Sequence, residues 1–219
     1  MFIGHYAIAL GSKMLPNPPS LAVMFMAVQF LDLLWPVFVL LGMESFRIEE
    51  GNTQLTPLAF THYPYSHSLV MALIWSLLFG AIYLRVTGNR RNAAWVGGLV
   101  LSHWVLDFLA HGPDLPLTPF GDVKVGLGMW NYPLAEITLE IGLFLAGIYL
   151  CIKAQQYQRK VVFWSLIGFL LIIHVVNLLG PAPPNETAVT WTANLMWIFV
   201  IWAWWAENIP RRIRSNLQR

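Results

Sequence analysis

AAWVGGLVLSHWVLDFLA, residues 93–110, is apolar except for Ser102, His103 and Asp107. At 1.5 Å rise per residue such a run is long enough to cross the hydrocarbon core of a bilayer. Five more runs of comparable length flank it, near Leu21–Gly42, Ser68–Leu84, Pro133–Cys151, Val161–Leu179 and Val189–Ala206. Helix punctuation falls where these runs end: Ser20 offers an N-cap after Pro-Asn-Pro-Pro, Gly88 and Gly112-Pro113 follow helices, and Pro181 to Pro184 break the fifth run from the sixth. The composition agrees, with 57% hydrophobic and 11% charged residues and a mean hydropathy of +0.58. Soluble domains carry roughly a quarter charged residues. The expected fold is therefore all-α: a single polytopic membrane domain over residues 1–219, a bundle of about six transmembrane helices in contact with the lipid bilayer.

The net charge of +2 is spread over short loops and a terminal tail, without a basic patch interleaved with aromatics, so nucleic-acid binding is not expected. Cys151 is the sole cysteine, which excludes an internal disulfide. Met1–Leu15 lacks a basic start and a small-residue cleavage site and does not read as a signal peptide. Lys13, Arg85, Arg90, Arg91, Lys153, Arg159, Lys160, Arg211, Arg212, Arg214 and Arg219 fall on one side of the six runs, with only Arg47 and Lys124 on the other. The positive-inside rule places the Lys13 loop and the C-terminus in the cytoplasm. Phe2–Leu15 is too short to span and reads as a short helix rising into the bilayer with His5; a helix lying on the membrane surface is the competing picture.

Ionisable residues inside spans cost several kcal/mol and mark partners, cavities or ions. Counting helical rise from the cytoplasmic ends puts Asp32 about 18 Å, His103 about 15 Å, Asp107 about 21 Å and His174 about 20 Å up their spans, all in the outer half. His67 opens the second span from the opposite face, and Glu136 and Glu140 occupy the first turns of the fourth. His103 and Asp107 are four apart, as are Glu136 and Glu140, so each pair projects from one helix face. Imidazole nitrogen with carboxylate oxygen is a ligand set for zinc or another divalent metal. Hydrogen bonding within the bundle is the alternative for each residue taken singly, and His111 is balanced between ligand and helix end. His62 and His67 flank a turn stiffened by Pro64, and Ser66 or Ser68 suits the N-cap of the second span. Gly-x-Ser-x-Gly, His-Glu-x-x-His and a phosphate-cradling glycine loop are all missing, which argues against a serine hydrolase, a helix-borne zinc protease and a nucleotide-binding P-loop.

Four segments together carry a resemblance: His5 in Gly-His-Tyr-Ala, Leu31-Asp32-Leu-Leu-Trp35-Pro36, His62-Tyr-Pro-Tyr-Ser66-His67-Ser-Leu69, and Ser102-His103-Trp-Val-Leu-Asp107. In order and spacing they resemble the YdjM-type bacterial inner-membrane proteins, described as membrane-bound metal-dependent hydrolases. The resemblance covers roughly residues 1–111, leaving 112–219 as additional helices. It implies an inner-membrane hydrolase whose metal, zinc, is held by His5, Asp32, His67, His103 and Asp107, with His62 as a further ligand. Leu34 and Trp35 stand where the family pattern has a second Asp and a His, so a single metal, or a site completed by Glu136 and Glu140, is expected. A fainter similarity to zinc-dependent phospholipases C points to a phosphoester or lipid-linked substrate, with Asp32 or Glu140 as general base and the site toward the outer leaflet. A metal-ion or proton transporter and a catalytically degenerate scaffold are the alternative readings; transport predicts an acidic trail to the cytoplasmic face, which the sequence lacks.

Overall fold

The computed structural model describes residues 1–154 and 159–207. The expected cytoplasmic arginines Arg211, Arg212, Arg214 and Arg219 lie outside the described residues. The short helix α1 (Ile3–Gly11) leads through a 3-10 turn to α2 (Leu21–Val28) and α3 (Phe30–Leu40). A hairpin of β1 (Ser45–Ile48) and β2 (Leu58–His62) precedes the single-turn α4 (Pro64–His67) and the long helices α5 (Leu69–Thr87) and α6 (Arg90–Ala110). A second, two-residue-per-strand hairpin, β3 (Leu115–Pro116) with β4 (Lys124–Val125), leads to α7 (Pro133–Ala154), followed by α8 (Lys160–Leu179), α9 (Glu186–Asn194) and α10 (Trp197–Glu207).

Helices α5, α6, α7 and α8 and the stretch Glu186–Glu207 are each long and apolar enough to span, and α2 with α3 makes a sixth span bent by 56°. The all-α polytopic bundle expected from the sequence is what the chain forms, with the two small hairpins added at one end.

The first span departs from the straight helix expected over Leu21–Gly42. Gln29 leaves helical geometry (φ −102°, ψ 6°), and its fully buried amide reaches Met196 Sδ at 3.7 Å. The Val28 carbonyl is taken by a side chain from α6, the His103 imidazole, at 2.6 Å. A side chain inserted at the ladder is an established cause of a kink. The bend follows from tertiary contact, and Asp32 sits in the first turn beyond it.

Helix α6 is the hub: over half of its apolar window is buried, against 6% for α5, whose Leu77, Ile82 and Val86 face outward. Small residues bring α5 against α6. Ser76 Oγ donates to the Gly97 carbonyl at 2.7 Å, and a Cβ at Gly97 would lie 2.9 Å from the Ser76 carbonyl oxygen. Likewise Gly147 of α7 lets the backbone of α1 approach at Ala7, where a Cβ would come within 3.0 Å of Ala7 Cα. With Ile3, Ala9 and Leu10 fully buried, α1 lies inside the bundle; the surface-lying alternative does not occur.

The two ends of the bundle differ chemically. At one end Lys13 Nζ pairs with Glu207 and donates to the Pro19 carbonyl, and Asn92 Nδ2 donates to the Asn17 carbonyl. At the other end the hairpins, α4 and the start of α7 come together around the site described next.

Candidate metal centre

Four elements, α1, α3, α4 and α6, each deliver imidazole or carboxylate to one buried point. The i,i+4 spacing on α6 sets His103 Nε2 3.0 Å from Asp107 Oδ2. His103 Nδ1 lies 2.6 Å from the Val28 carbonyl. A carbonyl can only accept, so Nδ1 carries a proton and Nε2 is the nitrogen left facing the cluster.

The His5 ring stacks on His103, centroids 3.8 Å apart and planes 4° apart, with Nε2 3.2 Å from Asp107 Oδ1. Neither nitrogen of His5, nor Nε2 of His103, has a hydrogen-bond partner although all three are buried. The Met1 amine lies 3.2 Å from Asp107 Oδ1. From α3, Asp32 Oδ1 lies 3.3 Å from His67 Nε2 and 3.7 Å from His103 Nε2. His67 Nε2 is also 3.7 Å from Asp107 Oδ2.

His67 is aimed by a chain of hydrogen bonds. Ser66 Oγ donates to Glu44 Oε2 at 2.7 Å and is itself 2.7 Å from His67 Nδ1. With its proton given to Glu44, the hydroxyl accepts from His67 Nδ1, which turns Nε2 inward, 3.3 Å from Asp32 Oδ1. Glu44 Oε1 is fixed by the amides of Tyr65 and Ser66 at 2.9 and 2.8 Å. Burial pushes the Glu44 carboxyl above its ordinary range, and the bonds from Ser66 oppose that shift.

Two overlapping sets have ligand atoms within 4.8 Å of one another: His5, His103 and Asp107, and Asp32, His67 and His103. Two carboxylates face three imidazoles; the Met1 ammonium donates to Asp107 Oδ1, and among the described residues no lysine or arginine side chain pairs with either acid. Three buried nitrogens without partners among mixed N and O donors fit a divalent transition metal. Four of the five side chains are at most 4% exposed, whereas Asp32 is 27% exposed, so Asp32 is the one at the mouth.

Other sequence-predicted residues are placed elsewhere. His62, at the exposed end of β2, contacts Tyr65 edge-on and does not reach the cluster, because the chain turns inward only at the buried Tyr63. His111 pairs with Asp114 at 3.1 Å and packs on Trp130. Trp35, where the motif pattern has His, is buried between Phe46 and Phe60. Glu140 accepts from the amides of Phe2 and Gly4 at 2.5 and 3.1 Å, answering donors that the N-terminus of α1 leaves unpaired, and stands 3.5 Å from His174 Nδ1. Glu136 is buried with neither oxygen hydrogen-bonded. Of the two serines weighed as N-caps, Ser68 caps α5, accepting from the Met71 amide, which leaves Ser66 to its bridging place. Glu44 was not singled out by the sequence; a lone acid just past an apolar run is its only local signal.

No curated protein and no solved structure matches the chain. The family model of the YdjM inner membrane protein matches residues 39–208. That stretch holds Glu44, Ser66, His67, His103 and Asp107, begins after His5 and Asp32, and runs far beyond residue 111, where the motif resemblance ends. The chain therefore belongs to the YdjM inner membrane protein family and is an integral protein of the inner membrane.

Proposed function

We propose that the chain is a membrane-embedded metal-dependent hydrolase acting on an ester or phosphoester of a lipid or lipid-linked substrate. The observation that carries this reading is the meeting of His5, Asp32, His67, His103 and Asp107 from four elements, with Nε2 of His5 and of His103 buried and unpaired. These residues would hold one or two divalent ions, with zinc the best match to the donor set. A bound metal supplies Lewis acidity and water that ionises near neutral pH.

The chain's own part in the reaction falls to Asp32. Its side chain is the exposed member of the cluster, within reach of both entering water and substrate. Asp32 takes one proton as the water oxygen forms its bond to carbon or phosphorus, and returns it to the leaving oxygen as the ester bond breaks. Glu140, the other expected base, has its carboxylate occupied by the amides of α1. Val28 and Ser66 hold His103 and His67 in one tautomer each, so the constellation needs little rearrangement. With the Lys13 end assigned to the cytoplasm by its basic residues, the cluster opens toward the outer leaflet.

An ion pathway is less well supported. Between the cluster and the Lys13 end, α1 and α6 present Ala9, Leu10, Val96, Leu99 and Val100, all buried and apolar, with no polar continuation among them.

Elemental analysis of protein extracted in mild detergent tests the reading, beside an Asp107→Asn variant and a hydrolysis screen of lipid esters and phosphoesters with and without chelator. Stoichiometric metal in the wild type, its loss in the variant and chelator-sensitive cleavage are expected. Metal-free wild-type protein, or metal retained in full by Asp107→Asn, would overturn it.

A further inference from the structure

A groove of about 440 Å³ runs along the outer side of α1 toward the Lys13 end. Its floor includes Ile8 and Gly11, one wall is Trp95 of α6, and the other is Leu143, Gly147 and Leu150 of α7. The polar atom nearest at hand, Ser12 Oγ, is already committed to the Ile8 carbonyl at 2.7 Å. Nothing in the lining asks for a polar ligand. Ala146, Trp95 and Met14 at its edges are exposed on the outer surface of the bundle, where the bilayer is the solvent.

Position along α1 ties this groove to the cluster. His5, Ile8 and Ser12 are spaced i, i+3, i+7 and share one helix face. The stripe that carries an imidazole to Asp107 therefore continues as the groove floor. Between the two, Ile8, Leu109, Leu139 and Leu143 pack against Met1, Leu106 and Ala110, so the side chains that separate groove and acids are apolar. From His5 to Leu15 the rise is about 15 Å, half of the ~30 Å hydrocarbon core, so the groove leads from the level of the cluster down toward the Lys13 face.

We propose that this groove seats an acyl chain of the lipid whose ester or phosphoester is presented to the His5–Asp107 cluster, making the substrate a membrane lipid bound by one chain beside α1. The proposal rests on the hydrolase reading for its reactive end and on the groove for its chain. Chain and reacting group then lie along one line parallel to the spans, with the reacting group at the upper end of α1 and the chain running from it toward the Lys13 face. Approach is lateral, from the leaflet, between α6 and α7.

The test uses the full chain in nanodiscs of phosphatidylglycerol containing a small fraction of phosphatidic acid with a diazirine at mid-chain. After irradiation, labelled peptides are mapped. Labelling is expected to concentrate on the segments 8–15 and 143–150, relative to the equally lipid-exposed α5 face around Leu77. Ala146→Trp, which puts an indole at the mouth, should lower that enrichment roughly tenfold, the worth of about two buried methylenes. Gly11→Leu provides a second variant, since a Cβ there meets Leu150 at an ordinary 3.6 Å. Leu77→Trp should leave the enrichment unchanged.

Labelling spread evenly over α5, α7 and α8, or insensitive to both groove variants, overturns the proposal. A chain-length series separates this failure from that of the hydrolase reading. Metal-dependent cleavage of a short soluble phosphoester as efficient as that of the long-chain lipid, with even labelling, removes the groove and leaves the hydrolase. Concentrated labelling without cleavage of any ester or phosphoester removes the substrate assignment.

Discussion

Asp107 on α6 and Glu140 on α7 are both buried acids at the same end of the bundle, and both stand beside a histidine from another helix, yet their surroundings differ in kind. Glu140 receives two backbone amides of α1 and has His174 as a neighbour, so the fold itself supplies its donors. Asp107 has His5 and His103 within 3.2 Å, both with Nε2 unpaired, His67 at 3.7 Å, and the Met1 ammonium donating to Oδ1 at 3.2 Å. A carboxylate answered by amides fastens a helix; one ringed by imidazoles, with a single ammonium on one oxygen, has sides left for a metal ion to coordinate, since unpaired acceptors in a low-dielectric interior are costly. Glu140 docks α1, and α1 carries His5, so the first acid builds the shell of the second.

Asp107→Asn breaks the contrast most directly. It should reduce metal affinity by more than the about 10- to 100-fold typical of changes outside the ligand shell, while the thermal midpoint of the metal-free protein also falls, because the buried Met1 ammonium loses the carboxylate it pairs with at 3.2 Å. Calorimetric metal titration with a melt of the apo protein reads both. A drop in apo stability with metal affinity intact would make Asp107 structural, like Glu140.

Next in size is Ser66→Ala. It strips His67 Nδ1 of its acceptor and leaves Glu44 with its two amide donors. Metal affinity should fall about 10- to 100-fold, and Ser66→Thr, which keeps the hydroxyl, should recover most of it. Equal loss in both variants would mean that steric packing, not the relay, holds His67.

Glu140→Gln sharpens the comparison from the other side. Its neutral amide offers one oxygen where the carboxylate offered two to the α1 amides and His174, and stability should drop by about 1–3 kcal/mol. Metal affinity should fall only through the looser docking of His5, so saturating zinc restores full occupancy, unlike in Asp107→Asn. Denaturant melts with and without zinc separate the two.

The spans and the i,i+4 pairing of His103 with Asp107 were legible in the sequence because they depend on length, hydropathy and helical spacing, which are local. Helical rise likewise carried Asp32, His103 and Asp107 to similar levels before any packing was known. The bend at Gln29 was not legible, because its cause is a carbonyl taken by an imidazole 75 residues away. Glu44 was hidden for the same reason: its link to His67 runs through Ser66, and 21 and 22 residues of hairpin separate it from the amides it binds. Spacing also misled at Glu140, where i,i+4 with Glu136 looks like a ligand pair but the carboxylate turns to the end of α1.

The smallest expected effect is at His62. Its spacing from His67 matches the motif pattern, and that resemblance made it an expected further ligand, but Pro64 starts a helical turn that buries His67 and leaves His62 outside with Tyr65. His62→Ala should therefore leave metal stoichiometry and affinity within roughly twofold, since surface changes away from buried features seldom exceed about 0.5 kcal/mol. A tenfold loss would mean that β2 and the turn after it close over Asp32 when metal is bound. The cluster would then gain a sixth donor beside Asp32, its least buried member, and the metal centre would extend outward to include the hairpin.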